Sequence, residues 1–194
     1  MEDLSWIFKQ YSDLTDKLQY VDFYSRHFSE LDPKILLEIG VLKGGSLRIW
    51  KTVFPDARIA GIDSNEASKL DNDDLEILIG DQKDPVFLEW LLSHVGIPDI
   101  IIDDGGHCRS QQIFSFEHLF PHMKSGGVYV IEDLEACLLE SYNDYPVTTL
   151  DYMRSLVMPT DFDGNTTGRK VGDRFTYHYS SITFEPNICM ITKR

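Results

Sequence analysis

Two acidic clusters carry the chemistry that this sequence can do. Asp103-Asp104-Gly105-Gly106-His107 follows one apolar run, and Glu132-Asp133 follows the next. If those runs are adjacent strands, their tips lie about 4.8 Å apart and the carboxylates converge. Clustered carboxylates repel one another, and a hard dication such as Mg²⁺ relieves that repulsion through oxygen ligands and water. No His/Cys set has zinc spacing. His107, three residues past Asp104, stands over the same place and can take a proton. Singly, each residue also reads as a solvated loop end or a helix cap; as a set they read as a site.

A second group points to a nucleoside. Glu38-Ile39-Gly40-Val41-Leu42-Lys43-Gly44-Gly45-Ser46 is a glycine-rich turn. Such a turn lets backbone approach a ligand, which then faces the N–H groups of the following helix. Leu42 stands where a dinucleotide fingerprint has its second glycine, which argues against a nicotinamide-dependent oxidoreductase. Asp63 lies 23 residues after Gly40, where an acid can accept from both ribose hydroxyls. Asp81 closes a third run.

The elements that must position these residues are legible as runs. Ile35–Ile39, Arg58–Ile62, Leu75–Ile79, Asp99–Ile102 and Val128–Ile131 are short and nearly continuously apolar, as strands buried on both faces are. Amphipathic stretches through Leu47–Phe54, Phe87–Val95 and Ile113–Phe120 alternate with them, Pro121 closing the last. Leu18–Leu31 and Thr148–Val157 also read as helices. Ser181–Phe184 and Ile188–Ile191, around Glu185-Pro186-Asn187, form a hairpin. The pattern predicts an α/β, Rossmann-like sheet of five parallel strands plus a C-terminal antiparallel hairpin, with helices on both faces. Ligands of such sheets bind beyond the strands' carboxyl ends. All five predicted strands end in a carboxylate there.

The 194 residues suggest one domain, with a helical segment 1–33, a core 34–135, and a helix, loop and hairpin over 136–194. Met158–Asp173, rich in Gly, Asp and Thr, is a candidate lid. The net charge of −14 disfavours nucleic acid. No run reaches the ~20 apolar residues of a membrane span, Met1-Glu2-Asp3 is too acidic for a secretory signal, and the three scattered cysteines suit a reducing, cytoplasmic setting. Trp6, Tyr11, Tyr20 and Phe23 form an aromatic N-terminal segment that reads as packing or a homo-oligomer contact.

At I-L-L-E-I-G-V-L-K-G-G-S-L-R-I-W, A-G-I-D, G-D-Q, I-I-I-D-D-G-G-H and G-G-V-Y-V-I-E-D-L the chain resembles class I S-adenosylmethionine-dependent methyltransferases. It is most similar to the metal-dependent sugar O-methyltransferases of macrolide biosynthesis, the mycinamicin VI 2''-O-methyltransferase family. The resemblance covers about residues 12–135, including Thr15-Asp16-Lys17. It implies a sheet of the class I methyltransferase type, S-adenosylmethionine as cofactor, Mg²⁺, and a small-molecule hydroxyl acceptor, a sugar or glycoside. It also implies that Glu38, Gly40 and Gly44 lie at the methionine part of the cofactor, Asp63 at the ribose, Asp81 at the adenine and Asp103 beside the cofactor, with Ser46 also among the cofactor-binding residues. Asp104, Glu132 and Asp133 would ligate Mg²⁺, and His107 would be the general base. Gly106 departs from the family's usual Ser, and about 30 residues precede the first strand where the macrolide enzymes carry an N-terminal domain. A cofactor-binding protein without methyl transfer, or another metal enzyme on this scaffold such as the cephalosporin-hydroxylase-like proteins, is the alternative.

Overall fold

A computed structural model describes residues 4–66, 68, 74–157 and 178–194. Seven strands form one sheet: β1 (Ile35–Ile39), β2 (Arg58–Asp63), β3 (Glu76–Ile79), β4 (Ile100–Asp103), β5 (Val128–Ile131), β6 (Tyr179–Glu185) and β7 (Ile188–Lys193). Their order is β3-β2-β1-β4-β5-β7-β6. The first five pair parallel, and β7 pairs antiparallel with both β5 and β6. The expected architecture of five parallel strands and a terminal hairpin is therefore present. The strand order reverses between β1 and β4, which makes their carboxyl ends the switch point where ligands of open sheets bind.

The alternation of side chains along each strand sorts the helices onto two faces. Leu36, Ile59, Ile100, Ile102, Val128 and Val130 face α1 (Leu4–Gln10), α2 (Val21–Phe28) and α3 (Gly45–Val53). Leu37, Ile62, Ile101, Tyr129 and Ile131 face α4 (Pro85–Val95), α5 (Arg109–Leu119) and α6 (Thr149–Val157). Both layers are dense in aromatics. Trp50, at 0% exposure, packs against Phe8, Tyr24 and Phe28 on the first face.

Two elements differ from expectation. The stretch read as one helix from Leu18 divides into a 3-10 turn (Lys17–Tyr20) and α2, with Tyr20 at φ −103° breaking the helical path between them. α1, unforeseen in the aromatic N-terminal segment, covers the first face with Leu4, Ile7 and Phe8. Pro121 stands in a 3-10 turn (Phe120–His122) directly after α5. The candidate lid, Met158–Asp173, lies outside the described residues. No helix among the described residues is long and apolar enough to cross a membrane.

Candidate functional site

The turn after β1 is built on positive φ angles: Gly40 at +89°, Leu42 at +51° and Gly44 at +74°. At Gly40 the space is as demanding as the torsion, because a Cβ there would lie 2.0 Å from the carbonyl oxygen of Asp104. The turn is strapped down by Asp63, whose Oδ2 accepts from the N–H groups of Val41 and Leu42, each at 3.0 Å, while Oδ1 accepts from Asn65 N–H at 2.8 Å. Burial works against the Asp63 charge, yet these backbone donors hold its carboxyl below the usual aspartate range. A depressed folded pKa means the strap stabilises above the unfolded value and fades as pH falls below about 3.9. Asp63→Ala, which leaves three N–H groups without their charged acceptor, is expected to cost about 1–3 kcal/mol in urea unfolding at neutral pH.

Beyond this turn lies a cavity of about 320 Å³, within the usual size range of small-molecule sites. Gly40, Ser46, Asp63 and Asp81 line it, and so do Asp104, His107 and Asp133 at its other end. Glu38, Gly44, Asp103 and Glu132 are not on its wall. Asp103, at 0% exposure, instead sits in a buried network, accepting from Ser115 Oγ at 2.6 Å, Tyr129 OH at 3.1 Å and Gln82 Nε2 at 3.2 Å. Gln82 also accepts from Gly106 N–H at 3.0 Å, so Asp103 holds the loop that carries His107 rather than facing the cavity.

That loop and its neighbour form the chemical end. The register pairs Asp103 with Ile131, which sets Asp104 beside Glu132, and Glu132 N–H donates to Asp103 O at 3.0 Å. His107 and Asp133 both take left-handed backbone, at φ +57° and +53°. The helix cap of α5 is Cys108, through a reciprocal box with Gln111, so His107 is free of that duty. Its Nε2 lies 3.6 Å from Asp133 Oδ2, and its Nδ1 is buried without a hydrogen-bond partner. Asp104, His107 and Asp133 each offer one ligand atom, all within 4.8 Å of one another. Two carboxylates and an imidazole around a polar cavity suit a hard dication that keeps some of its water.

A feature absent from the sequence reading completes the cluster. Lys17, at 0% exposure, reaches under the strand tips and contacts three carboxylates. Its Nζ lies 2.6 Å from Asp104 Oδ2, 3.0 Å from Glu38 Oε1 and 2.8 Å from each oxygen of Glu132. Burial opposes its charge, but the surrounding carboxylates hold its pKa well above the ordinary lysine value. Burial also pushes the Glu132 carboxyl well up, against Lys17. Tyr24 donates to Glu132 and Tyr20 donates to Asp133. Lys17, Tyr20 and Tyr24 are spaced i, i+3, i+7 in the sequence, and that spacing was the available signal, although the path itself breaks at Tyr20.

No family model matches the chain. The mycinamicin VI 2''-O-methyltransferase of Micromonospora griseorubida is 40% identical over 124 residues, 59% of this chain and 31% of that protein. The 8-demethyl-8-alpha-L-rhamnosyl tetracenomycin-C 2'-O-methyltransferase of Streptomyces olivaceus is 30% identical over 197 residues, 90% of this chain and 50% of that protein. Among solved structures, the MycE methyltransferase of the mycinamycin biosynthetic pathway, in complex with Mg, SAH and mycinamycin VI, superposes with a TM-score of 0.82 at 30% identity, covering 98% of this chain and 53% of that one. The chain thus spans half or less of the length of the curated relatives it matches.

Proposed function

This chain is a homologue of the macrolide sugar O-methyltransferases with the class I methyltransferase fold, and on that premise we propose that it is a Mg²⁺-assisted O-methyltransferase using S-adenosylmethionine. The acceptor is a hydroxyl of a sugar or glycosylated natural product. The reading rests on one observation above the others: His107, Asp104 and Asp133 converge on the wall of the same cavity that the Gly40 turn and Asp63 line.

Gly40, Ser46, Asp63 and Asp81 would bind the cofactor directly. Gly44 supports them as the residue before α3, and Asp103 as the anchor of the His107 loop. Asp104, Glu132 and Asp133 would hold the ion. Bound there, the cofactor supplies an electrophilic methyl group and the dication lowers the energy of an alkoxide. His107 would take the acceptor's proton on its imidazole, whose Nε2 lies 3.6 Å from Asp133 Oδ2. The acidic cavity favours a cationic cofactor, and the Gly40 turn brings backbone close to it.

Segment 1–33 belongs in this reading to the same domain, since α1 and α2 fill one face of its sheet. The three cysteines are free, in keeping with a cytoplasmic setting. Supplied with a panel of glycosides and radiolabelled S-adenosylmethionine, the protein is expected to methylate a sugar hydroxyl, and EDTA is expected to abolish that transfer until Mg²⁺ is restored. Transfer that is indifferent to EDTA would remove the metal from the reading. Cofactor binding with no transfer to any glycoside would favour a binding protein on the same fold.

A further inference from the structure

Glu132 poses a problem that the proposed function does not solve. Both of its oxygens lie 2.8 Å from Lys17 Nζ, and Tyr24 donates to Oε1 as well. Asp104 gives Oδ2 to the same ammonium. An acid so engaged cannot also serve a dication without sharing its charge with the lysine. Yet Lys17 cannot simply leave. Its side chain is at 0% exposure, and it opens the 3-10 turn Lys17–Tyr20 that packs beside the strand tips. Burying an ammonium costs several kcal/mol unless it is paired, and here three carboxyl groups share one ammonium, a surplus of acids. The surplus is what a dication answers, and the lysine is what keeps the carboxylates from repelling each other before one arrives.

We propose that Lys17 is a built-in counter-cation, which holds Asp104 and Glu132 in position and competes with the dication for both. This inference rests on the reading of Asp104 and Glu132 as the acids that hold the ion. It assigns Lys17 a positioning role, since the ammonium acts through the carboxylates. The same anchor ties down the wall of the cavity: Leu14, Thr15 and Asp16, the three residues before Lys17, line it.

The test is Mg²⁺ binding, read by calorimetry and by thermal unfolding of wild type and Lys17→Met. A lysine that competes predicts an unusual pair of results. In EDTA the variant melts below wild type, because its carboxylates have lost their counter-charge. It then binds Mg²⁺ at least tenfold more tightly, and gains more in Tm on saturation than wild type does. A lysine that is only a structural pin predicts the opposite sign, and affinity unchanged or weakened in the variant overturns the proposal. Should Lys17→Met fail to fold, wild-type protein labelled with ¹³C at lysine Cε decides. One lysine resonance is expected to shift with the same midpoint as Mg²⁺ binding, and saturation with every lysine resonance unmoved overturns the proposal. Competition observed without methyl transfer to any glycoside would leave Lys17's role standing and sink the proposed activity. No Mg²⁺ binding in any form of the protein would sink both.

Discussion

His107→Asn protein is expected to fold and to bind S-adenosylmethionine as wild type does, and to lose methyl transfer by about 10²- to 10⁴-fold, the contribution of a positioned general base. The expectation separates chemistry from structure because the local architecture does not lean on this side chain. Cys108, not His107, caps α5, and the loop is held from beneath by Gln82 on Gly106 N–H. The backbone at His107 is left-handed, at φ +57°. Histidine already bears the cost of about 1–2 kcal/mol that a Cβ meets in that region and alanine would keep it, whereas asparagine tolerates the region and relieves part of it. Comparing the two variants therefore distinguishes a lost proton acceptor from a loosened loop. If Asn retains a rate within threefold of wild type, the base lies elsewhere.

The sheet was readable because buried parallel strands write themselves as apolar runs. β1 and β5 match their runs end to end, and β2, β3 and β4 match within one residue. The acid at each strand tip was readable for the same reason, since the end of a strand locates the residue next in the chain. Which acids face the cavity and which face the core could not be read. Asp103 and Asp104 are neighbours in sequence, yet one closes a buried network with Ser115 and Tyr129 while the other borders the cavity. Alternation along a strand separates them, but its phase depends on residues in other elements. Lys17 stood in the Thr15-Asp16-Lys17 stretch of the resemblance, but its contacts were hidden for a stronger reason. Its partners Asp104 and Glu132 lie 87 and 115 residues away, and a lone lysine in a polar stretch ordinarily reads as solvated. Clustered carboxylates call for a cation, and the chain supplies one itself in Lys17.

Gly40→Ala is expected to be the most damaging single methyl group that can be added near the site. Two costs combine. The backbone at φ +89° is unfavourable for any residue with a Cβ, at about 1–2 kcal/mol. The new atom would also lie 2.0 Å from Asp104 O, 2.7 Å from Asp104 C and 2.9 Å from Gly105 Cα, all of them backbone. No rotamer relieves such a contact; the turn or the loop must move. Both are pinned, since Gly40 N–H donates to Ile62 O at 2.8 Å and Asp104 N–H to Ile39 O at 2.9 Å. The loss should reach the severe end of point substitutions, about 4 kcal/mol, or roughly 10 °C in Tm for a chain of this size. Gly126→Ala supplies the control. Its φ is +81°, but nothing lies within 4 Å of the added Cβ, so it should show the torsional cost alone. The difference between the two variants measures how tightly the cofactor turn is packed against the loop of Asp104. That contact joins the two halves of the site: whatever displaces one moves the other. Accordingly Gly40→Ala protein that survives at low temperature should have lost affinity for S-adenosylmethionine and for Mg²⁺ together. Loss of the first with the second intact would show that the turn alone gives way and that the two halves are mechanically independent.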